Sequence, residues 1–291
     1  MTNKGISVVI ATLGGPTLFN TIFCLNTGTI LPNEILICIP KKFSQNVISH
    51  LIYENVIILE TEIFGQVAQR SIGFTQAKYD YVLQIDDDVI LDPNCLKILF
   101  SKMNNNKSNI AISPALYALN TNLSVYRSSE NWFKRFIFKP IYYFLINGIK
   151  LYTPGTITSA GTQIGIDPSL NNLDLIPTEW LPGGCVLHHK INLIKNNFYP
   201  FNGKAYLEDL YHSFLLRKQS VNLFIIKSAV AFIVDPRDEV IYQLKKYFIE
   251  LYKDYNARKY FVKLSNKSIL RLHIYYVLEV IKMLFLKIKN I

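Results

Sequence analysis

Three adjacent carboxylates, Asp86-Asp87-Asp88, directly follow the apolar run Tyr81-Val82-Leu83-Gln84-Ile85. Side by side at a strand end, such groups repel by about 1–4 kcal/mol per close pair, depending on the local dielectric. A divalent cation reverses that repulsion. Alternate residues of an extended chain project to one side. Asp86 and Asp88 therefore offer hard oxygen ligands for Mg2+ or Mn2+, with a substrate phosphate completing the shell. The competing reading is a solvated acidic turn or a helix cap, but Asp92 before Pro93 is expected to cap the helix that follows. A second acidic pair, Glu208-Asp209, opens a helix-like run downstream of the Gly-rich segment Trp180-Leu181-Pro182-Gly183-Gly184. A carboxylate placed there can accept the proton of a hydroxyl that is becoming a nucleophile. Taken alone, acidic residues at a helix start serve only the helix dipole.

The elements around these residues form a regular series. Ser7–Ala11, Glu34–Ile39, Val56–Leu59 and Tyr81–Ile85 read as strands, and Pro16–Leu25, Lys42–Leu51 and Gln66–Ala77 as helices between them. Strands this apolar, alternating with helices, predict an α/β fold with a mostly parallel sheet covered on both faces. Ligands of such sheets bind beyond the carboxyl ends of the strands, here just after Ala11, Ile39 and Ile85. The stretch from Asn120 to Glu179 is less regular. Strand-like structure returns at Cys185–His188, a helix at Glu208–Arg217, and strands at Val221–Ile226 and Ala229–Val234. Beyond Pro236 the pattern is helical to the end, with a break near Ser265–Ser268.

The run Gly65-Gln66-Val67-Ala68-Gln69-Arg70-Ser71-Ile72-Gly73, followed by the strand and Asp86-Asp87-Asp88, resembles the core of family-2 glycosyltransferases. Their pattern is a helix of the form G-x-x-x-x-R-N-x-G, a strand, then Asp-x-Asp; Ser71 stands here where Asn is usual. The resemblance implies a GT-A (Rossmann-like) fold and an inverting, metal-dependent transfer from a nucleotide-diphospho-sugar. By that resemblance Thr12, Arg70, Asp86 and Asp87 contact the nucleotide, and Asp86 and Asp88 hold Mn2+ or Mg2+. Trp180, Gly183, Gly184 and Glu208 face the acceptor, and Asp209 is the base. Where many relatives carry a metal-approaching His after the last core strand, this chain has Val234-Asp235-Pro236, which makes Asp235 the substitute. Where they carry a base-reading Asp on the second strand, it has Cys38-Ile39-Pro40. His188-His189 is read as structural, since adjacent strand residues point to opposite faces.

Composition bounds the rest. With 291 residues, half of them hydrophobic and 18% charged, extensive disorder is excluded. The four cysteines are scattered and suit small buried side chains in a reducing compartment. No secretory leader and no apolar window of spanning length is read. From Lys245 to Ile291 eleven Lys or Arg oppose three Asp or Glu, so +8 of the net +10 lies in the last 47 residues. Taken with the resemblance, which implies a catalytic domain over 1–235 with a nucleotide-sugar half to about residue 115 and an acceptor half over 116–235, this asymmetry sets the end of the chain apart. Residues 236–291 then form a basic amphipathic helical tail suited to an anionic membrane surface. The aromatic and basic run from Trp132 to Tyr143 could supply a second contact. Nucleic acid is disfavoured as a partner, because the basic residues lie among aliphatic ones with no stacking platform. The expected location is cytoplasmic, peripheral on the inner face of the cell membrane, with a saccharide or lipid-linked saccharide acceptor in bacterial surface polysaccharide or glycolipid synthesis. Two alternatives remain open. A sugar-phosphate nucleotidyltransferase would use the same sheet, although Leu13-Gly14-Gly15-Pro16-Thr17-Leu18 has no basic residue to grip a triphosphate. A non-catalytic membrane-associated relative is the other, although it would have little use for Asp86, Asp88 and Asp209 together.

Overall fold

The structure, a computed structural model, describes residues 4–50, 52–105, 108–127, 138–201, 205–234 and 244–289. Asp235 lies outside the described residues, as do Trp132 to Ile137 of the aromatic and basic run.

The chain divides into two compact units, one of residues 1–126 and 167–239, the other of 127–166 and 240–291. This differs from a division at residue 235, because residues 127–166 group with the C-terminal helices.

The first unit is built on one sheet. Strands β1 (Ile6–Ala11), β2 (Glu34–Pro40), β3 (Val56–Thr61) and β4 (Tyr81–Ile85) lie in the order β3-β2-β1-β4, all parallel. The sheet continues through β8 (Cys185–His189), β6 (Ile110–Ala118) and β9 (Asn222–Ile233) to the two-residue β5 (Ile90–Leu91). In this half β8 runs antiparallel to both β4 and β6, while β6 and β9 are parallel. The α/β, GT-A expectation holds, with strict parallel order confined to the first four strands. β7 (Leu175–Thr178) pairs antiparallel with β9.

The strands carry apolar residues on both faces because helices cover both. Val8, Ile10, Ile35, Ile37, Leu83 and Ile85 face Leu18, Ile22 and Leu25 of α1 (Leu18–Thr27) and Leu96, Leu99 and Met103 of α3 (Cys95–Asn104). The alternate residues Val9, Leu36, Cys38 and Val82 face Phe74 and Ala77, in and just after α2 (Gln66–Gln76). Gly73 allows that close approach, since a Cβ there would press on Val9 Cγ1 and the Cys38 sulfur. Lys41–His50 forms a tighter 3-10 helix. The expected cap at Asp92 is corrected: the N-cap of α3 is Asn94, and Asp92 accepts from the Asn94 backbone N–H at 2.9 Å in a local turn. The two strands expected across Val221–Val234 are one, β9, with a register irregularity where Ile226 pairs Pro114 and Val230 pairs Ala115. All four cysteines are free thiols.

The second unit is helical: α4 (Lys139–Asn147), α6 (Leu244–Leu264) and α7 (Ile269–Lys289). The expected break falls between Leu264 and Ile269. Val262, Leu272 and Tyr276 form its small core. Buried Arg258 ties it together, bonding Asp254 at 3.0 Å and the Gly161 carbonyl at 2.8 Å. Among the described residues no helix is long and apolar enough to cross a membrane.

Candidate active site

The chain turns immediately after β4, and the Val89 N–H reaches back to the Asp86 carbonyl at 3.4 Å. The three carboxylates therefore fan apart instead of alternating along an extended strand. Asp86 turns inward to Arg70 and to Gln66 Nε2, the latter at 2.9 Å. Asp87 accepts from the Thr12 hydroxyl, which in turn accepts from the Gly14 N–H at 2.9 Å. Asp88 is exposed. Mutual repulsion is relieved by separation and by partners, so a cation is not needed to hold the triplet together.

Arg70 is the centre of the arrangement. It lies on α2 at 2% exposure, with one terminal nitrogen on Asp86 and the other 2.6 Å from Glu208 Oε1. Its guanidinium is enclosed between these two carboxylates. Burial opposes its charge, but Glu208 and Asp86 outweigh burial and raise its pKa. Burial raises the Asp86 pKa against the pull of Arg70, and nearby Glu208 adds to the rise. Arg70 Nε is buried without a hydrogen-bond partner.

Glu208 and Asp209 open α5 (Glu208–Lys218), which follows a left-handed residue, Leu207, at φ 60°. Glu208 is buried against Arg70, while Asp209 is half-buried, with Oδ1 2.9 Å from the Leu210 N–H. The Gly183-Gly184 segment passes between the two acidic groups. A Cβ on Gly183 would collide with Glu208 Oε1, and one on Gly184 would come within 3.3 Å of Asp86 Oδ2. The carboxylates themselves thus supply a reason for these glycines, beside the approach of a sugar. The Gly184 carbonyl accepts from the Asp86 N–H at 2.9 Å, and the Gly183 carbonyl from Gln84 Nε2 at 2.5 Å. Trp180 is buried, and the Leu181 N–H donates to Ser213 Oγ of α5 at 3.0 Å.

Two features were missed in the sequence. Tyr126 meets Trp180 edge-on at 5.8 Å, and its hydroxyl pKa is raised by burial and by Asp209. A lone aromatic at the end of an irregular stretch gives no signal of this. Arg70 also lines a small, roughly water-sized pocket together with Phe74, Phe198, Glu208 and His212, among others. His212 stacks on Phe198 at 5.6 Å and lies 5.2 Å from His188, ring to ring. Burial, with Arg70 nearby, pushes the His212 pKa down to about 3. Burial also holds His188 well below the usual histidine range, assisted by His212 and Arg70. His189 points the other way, against Tyr81 at 5.0 Å, as strand alternation requires.

No group of three or more His, Cys, Asp or Glu poised to bind a metal occurs among the described residues. Asp86 Oδ2 takes no part in the bonds to Arg70 and Gln66, and Asp88, two residues further on, is exposed. This donor set of two hard carboxylates fits a Mg2+ or Mn2+ ion that brings diphosphate and water as its other ligands. It does not fit a closed site made by protein alone.

A mixed α/β sheet of this order, with acidic residues gathered beyond β4, is the arrangement of the GT-A fold. Residues 40–165 match the family model described as glycosyl transferase family 2. The resemblance to that family therefore holds for the segment bearing Arg70 and Asp86–Asp88, and family and fold together support glycosyl transfer. The matched segment contains neither Thr12 nor the residues from Trp180 to Asp209. A similar solved structure is GalNAc-T7, crystallised with UDP, GalNAc and Mn2+, at 16% identity and a TM-score of 0.54. The match covers 79% of this chain and 43% of that one. S. aureus TarS 1–349 is similar at 15% identity and a TM-score of 0.50, over 80% of this chain and 61% of that one. A longer S. aureus TarS chain gives 12% identity and 0.50, over 79% and 36%. This chain thus spans from about a third to three fifths of the length of those structures, and at these identities they show the fold. No curated protein matches the chain.

Proposed function

We propose that the chain moves a sugar from a nucleotide-diphosphate donor to a hydroxyl of a saccharide or lipid-linked saccharide, inverting the anomeric carbon. The pathway we infer is bacterial surface polysaccharide or glycolipid synthesis. The observation that carries this reading is the Arg70 bridge, which ties Asp86 at the end of β4 to Glu208 in the first turn of α5. Donor-binding and acceptor-activating residues are thereby held by one enclosed cation.

In this reading Thr12, Asp87 and Asp86 receive the nucleotide, with Arg70 acting through Asp86. Asp86 and Asp88 would hold Mn2+ or Mg2+, which when bound stabilises the charge on a departing diphosphate. Glu208, fixed by Arg70, positions the acceptor beside Trp180, Gly183 and Gly184. Asp209 takes the acceptor hydroxyl proton as the new bond from oxygen to the anomeric carbon forms. The bond to the diphosphate breaks, and its electron pair leaves with the nucleotide. One displacement from the face opposite the leaving group inverts the centre. We place the enzyme at the cytoplasmic side, peripheral on the inner face of the cell membrane, with the C-terminal helices toward anionic lipid.

The test is release of nucleoside diphosphate from a panel of sugar nucleotides, with and without Mn2+ and with candidate acceptors. UDP-linked sugars come first, because GalNAc-T7 was crystallised with UDP. Pyrophosphate release would instead indicate nucleotidyl transfer, and no product from any donor an inert relative. Asp209→Asn should keep donor binding while transfer falls by about 10²–10⁴-fold. Wild-type transfer in that variant would remove Asp209 as the base.

A further inference from the structure

The helical unit wears apolar residues on its outside. Helix α7 turns Leu272 and Tyr276 inward to pack with Val262. Its opposite face carries Leu270, Val277, Ile281 and Leu284, exposed at 71%, 57%, 43% and 51%. Their spacing, with His273 between the first two, is that of one helix stripe. Beside it α4, which packs on α7, exposes Ile141 and Phe144, and Ile149 in the turn that follows is 93% exposed. A soluble surface has no use for two adjacent apolar stripes; contiguous patches of this kind mark interaction sites.

Charge decides what covers them. Residues 127–166 and 240–291 hold sixteen Lys or Arg against four Asp or Glu, a net +12, whereas the rest of the chain holds fifteen against seventeen, a net −2. Two of the cations are committed inside the unit. Arg258 is buried, and Arg271 donates to the Phe144 and Leu145 carbonyls at 2.7 Å. Lys150, Lys253, Lys263 and Lys282 are exposed. A second copy of this unit would bring like charges together, which opposes self-association. An anionic bilayer accepts the aliphatic residues below its headgroups and the lysines among them.

We propose that the outward faces of α4 and α7, with Ile149 at the tip, seat on an anionic phospholipid surface. This deepens the peripheral location proposed above and is independent of the transfer chemistry. It also changes which residues make the contact. The seat is the exposed apolar stripe, flanked by lysines, while Arg258 and Arg271 stay inside the unit.

The full chain should co-sediment with phosphatidylglycerol-containing vesicles and remain in solution with pure phosphatidylcholine, the binding weakening as salt rises. The pair Leu270→Gln and Val277→Gln should lower partitioning at least tenfold without lowering nucleotide release from a water-soluble donor. Ile149→Trp supplies a reporter that needs no loss of function, and its emission should shift to the blue on anionic vesicles alone. Equal binding to both lipid types would overturn the charge argument. An unshifted emission from the Ile149→Trp variant, or undiminished binding by the Gln pair, would overturn the seat. A salt-resistant dimer in sedimentation, without vesicle binding, would assign the face to a second copy and end the lipid proposal. If vesicles bind but no donor yields nucleotide, the transfer reading fails and the seat stands.

Discussion

Among the described residues two arginines are buried, one in each unit, and their surroundings differ in kind. Arg258 meets Asp254 through two nitrogens, the Gly161 carbonyl, the Gln163 side chain and the Tyr276 hydroxyl. Its guanidinium nitrogens are all satisfied, and Tyr276 donates to the same Asp254. Arg70 instead faces two carboxylates from distant parts of the chain and leaves its Nε without a partner. One is a closed knot that holds helices. The other joins Asp86 and Glu208, the two acidic groups to which the proposed function gives donor and acceptor roles.

The sharpest way to break that comparison is to remove each cation. Arg70→Met leaves Asp86 and Glu208 close together without their counter-charge, which costs about 3–5 kcal/mol. Transfer should fall at least 100-fold even well below the melting temperature. Arg258→Met leaves one partly exposed carboxylate and should cost about 1–3 kcal/mol, with transfer to a soluble acceptor changed only a few-fold. Matched denaturation curves and rates for the two variants check this, and equal losses of transfer would erase the distinction. Next in size is Gly183→Ala, which drives a methyl into Glu208 Oε1. Overpacking of this kind costs about 1–3 kcal/mol. The displaced Glu208 should appear as a raised acceptor KM with donor KM unchanged.

The smallest effect is a pH slope. His212 is neutral when folded, its pKa pushed down to about 3 from an ordinary 6.5. The unfolded chain therefore binds the extra proton first, and the related stability is complete above 6.5. It falls as pH drops toward 3, by about 1.4 kcal/mol per unit for each such histidine. His188 adds in the same direction. Urea unfolding of His212→Phe across this range should give a shallower slope, and an unchanged slope would show that other groups dominate.

The first four strands and their helices were readable because fully buried strands are continuous apolar runs and the helices between them keep their period. β6 was not, because Pro114 interrupts Ile110–Ala118 and mimics a turn. In the sheet it sits at the register shift against β9, where a ladder N–H can be dispensed with. Lys227-Ser228 split β9 in the same misleading way. At the site, Arg70 and Asp86–Asp88 were legible because their spacing is local. The meeting of Arg70 with Glu208 spans 138 positions and depends on where β8 and α5 enter the fold. The outward face of α7 was hidden for a different reason. A helix apolar on most sides does not declare which side its neighbours α4 and α6 will take.

The antiparallel placement of β8 has one last consequence. Ile85 pairs with Cys185, so the entry of β8 lies against the exit of β4, and this alone brings Gly184 to the Asp86 N–H. A slip of one residue would withdraw that carbonyl, push a side chain toward Glu208 and exchange the faces of His188 and His189. A chain that misassembles its central sheet thus loses the carboxylate site along with it.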